Sequence, residues 1–189
     1  MKKYSKIFLS LAIVFTLIFV SWATARIVKS VQFSFECKVY LKRAANANTV
    51  ELAKTELEKA IKYVEENNLT EGVVSIFLKN PANDLGFWYQ NMKAAYEELD
   101  TLSENASSLE KTNVLMKLRE SLTDNDGSGA TSVITPEGIT VYPNNMLYFV
   151  WVMASTIAAS TFWILWGISV EIKLETTRMQ SKIRMKKSN

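Results

Sequence analysis

The chain has 189 residues, 48% of them hydrophobic, with 22 Lys and Arg against 19 Asp and Glu, a single cysteine and no histidine. Without histidine, a Ser-His-Asp triad, a His-bearing zinc site and a His general base are all excluded within the chain. The positive charge sits at the two ends while residues 29–145 carry twelve basic and seventeen acidic groups, net −5, which argues against a nucleic-acid partner.

The N-terminal stretch Met1–Ala25 supports two readings. Its basic start, short apolar core and small-x-small triplet Ala23-Thr24-Ala25 fit a cleavable signal peptide. The run from Ile7 to Val28, broken only by Arg26, is also long enough to span a bilayer, with Lys2, Lys3 and Lys6 on the cytoplasmic side. The apolar pattern continues through Ile27, Val28 and Val31, which favours the retained anchor.

Val31, Phe33, Phe35, Cys37, Val39 and Leu41 alternate with polar neighbours, the period of a half-buried strand. Phe33, Cys37, Leu41 and Ala45 also lie four apart, and a helix continuing from the anchor is the preferred reading. A lone cysteine here forms no internal disulfide, so Cys37 is expected as a small buried residue. Asn48 with Glu51 looks like a capping box. Val50, Ala53, Leu57, Ala60 and Val64 then make one helical face, which Asn67-Asn68 and Gly72 end.

Val73–Leu78 reads as a short buried strand or packed loop. Asn83-Asp84 then caps a helix through Leu102, whose stripe Leu85, Trp88, Met92, Ala95, Leu99, Leu102 is the cleanest in the chain. Ser107 with Glu110 forms a capping box for a third helix bearing Val114, Leu115, Leu118 and Leu122. After the break at Asp124–Gly129, the segments SVIT and ITVY, joined by Pro136-Glu137-Gly138, predict a small hairpin.

Met146–Val170 has no charged residue and exceeds the ~20 residues that cross a bilayer core. Tyr148, Phe149 and Trp151 at one end and Phe162, Trp163 and Trp166 at the other suit two water interfaces. The tail 171–189, with six Lys and Arg against two Glu, marks the cytoplasmic side.

Candidate chemistry is sparse. Aligning the glycine of Asp124-Asn125-Asp126-Gly127 with that of an EF-hand loop puts Leu122 and Val133 where the first and last acidic ligands belong, so a polar turn accounts for it better. Glu65-Glu66, Glu97-Glu98 and Asp100 read as solvated helix faces. Phe87, Trp88 and Tyr89 cannot all face one core, because consecutive helical residues are about 100° apart. Core and helix-cap packing is the preferred reading of this run, and the wall of an aromatic pocket is its functional alternative. Ala154 with Ala158 and Ser155 with Ala159 form small-xxx-small pairs in the second span, a candidate helix-packing face, and Ala12 and Thr16 share that spacing in the first. No catalytic, cofactor-binding or metal-ligating residue is identified, and no enzyme activity is expected.

The expected fold is a mainly α membrane protein: two transmembrane helices flank an extracytoplasmic helical domain with a small β-hairpin. The expected bounds are an anchor at 1–28, the domain at 29–145, the second span at 146–170 and a basic cytoplasmic tail at 171–189. The layout resembles bacterial chemoreceptor sensor modules in outline, without a diagnostic motif and with a tail too short for a signalling domain. The expected setting is a bacterial inner or plasma membrane with both termini cytoplasmic. The expected role is an accessory or adaptor subunit that contacts lipid and other membrane proteins or itself. A ligand-sensing module acting through a separate cytoplasmic partner is the alternative.

Overall fold

A computed structural model describes residues 2–77, 79–103, 105–126 and 130–188. It is mainly helical, with one two-stranded sheet and two helices long and apolar enough to cross a membrane, Tyr4–Ala45 and Asn145–Lys186. The most apolar window of each is only 6% buried, whereas a core helix of a water-soluble protein would be mostly covered. The chain divides into two compact units, Met1–Ala25 with Met146–Asn189, and Arg26–Asn145.

The first unit is built from the start of α1 (Lys2–Phe33) and from α6 (Asn145–Ser188), which run antiparallel. Phe15 stacks on Phe162 with ring centres 5.5 Å apart, and the Trp163 indole donates to Thr16 Oγ1 at 3.1 Å. Trp22 donates to the Tyr148 carbonyl at 3.0 Å. Two of the Trp N–H groups thus serve helix pairing. α6 continues as helix well past the expected end of the span at Val170, because residues 171–188 hold neither proline nor glycine.

The second unit starts within α1 at Arg26 and continues through a π-helical segment, Ser34–Lys38, into α2 (Val39–Ala45). The segment at 31–41 is therefore helical, with Phe33, Cys37, Leu41 and Ala45 all buried. α3 (Val50–Glu66) is capped by Thr49, whose side chain accepts from Leu52 N, one residue later than the Asn48 expectation. Asn48 can cap only if helical geometry starts at Thr49, and Thr49 is extended (φ −131°, ψ 153°). The expected face Val50, Ala53, Leu57, Ala60, Val64 is buried in full, joined by Glu56 and Ile61. The helix ends in a Schellman arrangement, with Asn68 at φ 54° and Leu69 N–H returning to the Val64 carbonyl at 2.8 Å.

The next segment is a loop with a single bridge, Val73 to Asp84; Leu78 lies outside the described residues. α4 (Leu85–Thr101) starts on Asp84, which accepts from Phe87 N at 3.1 Å, and its stripe packs into the core. α5 (Ser108–Leu122) starts on the Ser107–Glu110 capping box, with both reciprocal hydrogen bonds present. α3 lies against α2 and α4, and α5 closes on α2 and α4.

The hairpin is misplaced by the sequence reading. It pairs β1 (Thr123–Asp126) with β2 (Ala130–Val133) in antiparallel register, Thr123 opposite Val133. The glycine-rich residues 127–129 lie outside the described residues. The competing Pro136-Glu137-Gly138 turn instead leads into a single 3-10 turn, Ile139–Val141, with Gly138 in the left-handed region at φ 87°. Ile139 and Val141 are both buried there. The turn is set by its own local hydrogen bonds, Val141 N–H to the Gly138 carbonyl at 3.3 Å and Tyr142 N–H to the Ile139 carbonyl at 3.2 Å, in place of a strand partner.

Trp88 is buried and its indole donates to the Ile134 carbonyl at 3.0 Å. Trp88→Ala should destabilise the domain by about 3–5 kcal/mol, read as a lower denaturation midpoint in mild detergent. An unchanged midpoint would remove Trp88 from the core.

Candidate functional site

Two surfaces carry the candidate residues. The first is a cleft of about 500 Å³ in the second unit. Pro81, Ala82 and Asp84 form its rim, and Phe87, Trp88, Asn91 and Met92 come from the start of α4. Ser121 and Leu122 close it from the end of α5, and Ile134 and Pro136 from the chain after β2. Phe87 and Trp88 therefore share one wall, while Tyr89 does not line it. The Tyr89 hydroxyl instead donates to Glu65 Oε1 at 2.6 Å, linking α4 to α3.

The helical stripe explains the split. Trp88 falls on the buried face of α4, so Phe87, about 100° away, is left 63% exposed at the cleft mouth. Asn83, read from sequence only as part of a cap, holds the rim. Its carbonyl accepts from Val74 N at 3.0 Å, its amide donates to Ser75 Oγ at 2.9 Å, and its Oδ1 accepts from Glu137 N at 3.2 Å. Ile134 and Pro136 were missed because the reading placed them in or beside a strand. Their signal was the buried Trp88, which needs an acceptor for its N–H.

Donors along the cleft are largely used. Trp88 N–H serves the Ile134 carbonyl, the Ser121 hydroxyl serves the Leu118 carbonyl at 2.8 Å, and Phe87 N–H serves Asp84. Among the described lining residues none is Lys or Arg, and Asp84 is the one ionisable group. The acidic clusters elsewhere are paired at the surface: Glu98 with Lys117 at 2.8 Å, Asp100 with Lys54, and Glu65 with Lys93 at 3.8 Å. Among the described residues no group of three or more His, Cys, Asp or Glu could hold a metal ion.

The second surface is the small-residue face of α6, which the first unit divides. Ser155 is 2% exposed, Ala158 and Ala159 are half-buried, and Ala154 is exposed. Ser155 and Ala12 are the two buried residues of this unit among those described, one on each helix. Small side chains are what close packing of helices in lipid requires.

No family model, curated protein or solved structure matches the chain, so the reading of these surfaces rests on their own geometry.

The split of the small-residue face predicts that Ser155→Leu loosens the helix pair and lowers its melting temperature in detergent. Ala154→Leu should leave it unchanged; equal effects would remove the distinction. The Tyr89 hydrogen bond has a pH signature. Donation to the Glu65 carboxylate raises the phenol from the ordinary 10.0 to about 12. A raised folded value means its stabilisation is full below pH 10 and is lost as pH climbs toward 12. In an ultraviolet titration, Glu65→Gln should bring one high-pH tyrosine back toward the ordinary range. No change would show that the hydrogen bond does not govern this phenol.

Proposed function

We propose that the chain is a non-enzymatic integral membrane protein, an accessory or adaptor subunit that meets other membrane proteins through its spans and its helical domain. In this reading both termini are cytoplasmic and residues 51–145 lie outside, following the basic flanks of the two apolar runs. The observation that carries it is an apolar stripe that runs from α1 into the π-helical segment. Val28, Val31 and Phe35, spaced three and four apart, are all largely exposed, Phe35 at 70%. They lie on the side of the helix away from the buried Phe33 and Cys37. Lys29, Ser30, Gln32 and Glu36 interleave with them and are also exposed, so lipid is a poor cover for this stretch. A partner protein, with polar groups of its own, covers such a mixed face better.

The cleft favours a second reading, a ligand-sensing module. Its volume of about 500 Å³ falls in the range of small-molecule sites, and its lining is mostly apolar.

Gentle detergent extraction followed by mass spectrometry of co-purifying proteins tests the first reading. Phe35→Ser should remove a specific membrane partner while expression and melting temperature stay normal. A partner set identical to wild type would overturn the role of this stripe. A reporter fused after Asn189 should be active only if it works in the cytoplasm.

A further inference from the structure

We propose that the cleft between the start of α4, the end of α5 and the chain after β2 binds a small apolar cation, such as an ammonium compound with an aromatic body. The proposal rests on the ligand-sensing reading of the same cleft and names the charge of what enters it. Volume and apolar lining fit a small molecule, but they do not choose among anions, neutral compounds and cations.

The inventory of donors and acceptors does choose. An anion needs donors, and the cleft has almost none to spare. The indole N–H of Trp88, the hydroxyl of Ser121 and the amide N–H of Phe87 are all committed within the protein. At the start of α4, Leu85 N is taken by the Gly72 carbonyl at 2.9 Å and Trp88 N by the Asp84 carbonyl at 3.2 Å, and Gly86 does not line the cleft. That helix start therefore offers little to an anion, although helix starts often bind one. The Asn91 amide is the donor that remains.

A cation meets the opposite inventory. Asp84 brings a carboxylate with one oxygen engaged by Phe87 N. Phe87 and Trp88 bring two aromatic rings to one wall, and a cation over such a ring is attracted by its negative face. The segment 29–145 around the cleft carries a net charge of −5, which raises the local concentration of cations.

The test uses the full chain in mild detergent with three phenyl probes: benzyltrimethylammonium, benzyl alcohol and phenylpropanoate, followed by ligand-observed NMR. Asp84→Asn removes the charge and keeps a good helix cap. Phe87→Leu keeps apolar bulk and removes the ring. Benzyltrimethylammonium should bind the wild type in preference to the other two. Its binding should weaken about fivefold in Asp84→Asn and about threefold in Phe87→Leu. Added salt should weaken it further. Binding of benzyl alcohol or phenylpropanoate as tight as that of the cation, and indifferent to Asp84→Asn, would overturn the cation assignment and leave the sensing reading standing. Binding of none of the three would overturn both.

Discussion

The domain depends on an apolar line that an ordinary α-helix cannot keep straight. Phe33, Cys37, Leu41 and Ala45 are spaced by four throughout, and each step of four overshoots a full α-helical turn by about 40°. Over three steps the line would wind about a third of the way round the helix. The π segment Ser34–Lys38 absorbs the excess: Val39 N–H reaches five residues back to the Ser34 carbonyl. All four residues stay buried as a result, and both this segment and α2 pack on α3. With no disulfide to close the domain, this straightened line supplies the apolar packing that holds α2 to the rest.

The same contact contains a charge. Glu56 on α3 is 2% exposed, in the middle of an otherwise apolar face. Lys59 donates to its Oε1 at 2.9 Å, and Arg43 from the end of α2 approaches Oε2 at 2.9 Å without the alignment of a hydrogen bond. Lys59 also lies 5.4 Å from the centre of the Tyr40 ring on α2. A buried ion pair contributes little over an apolar residue of the same shape, but stranding its charge is costly. We read Glu56 as a register pin: sliding α2 along α3 would pull Arg43 away and leave the carboxylate buried with less compensation.

Helix positions were legible because their signals are local. The stripes on α3, α4 and α5, the Ser107–Glu110 box and the Asp84 cap follow from spacing and from side chains that bond within their own turn. What was not legible depends on distant partners. The hairpin was misplaced because Thr and Val residues on both sides of Gly138 fit a strand equally well, and the chain after Gly138 spends its N–H groups within a 3-10 turn instead of on a partner strand. Glu56 was hidden because a glutamate next to an apolar stripe usually faces water, and its burial here is compensated by Lys59 on its own helix together with Arg43 on another. The aromatic run Phe87-Trp88-Tyr89 was visible as a place where three rings must diverge. Which ring went where was fixed by Glu65 and Ile134, far away in sequence.

The cleft persists because its walls are tied to one another rather than to a filling side chain. Asn83 fastens the loop after α3 to the chain before Gly138, and Leu85 N–H is held by the Gly72 carbonyl. Gly72 sits at φ 101°, and a side chain there would run into the Tyr142 hydroxyl, which donates to the Glu71 carbonyl at 3.1 Å. The backbone angle and this close approach together favour glycine at residue 72. On the far side, the carbonyl of Ile134 holds the Trp88 indole while the Ile134 side chain stays partly exposed. The backbone is thus fastened on both sides of a gap at which Phe87 and Ile134 stay open to solvent while Trp88, Met92 and Leu122 lie buried. A wall held in place before its occupant arrives loses little conformational freedom on binding, which favours affinity from a small contact area. In this domain the hydrogen bonds that fasten the wall also use up its donors, so the rigidity of the cleft and its preference for positive charge have one origin.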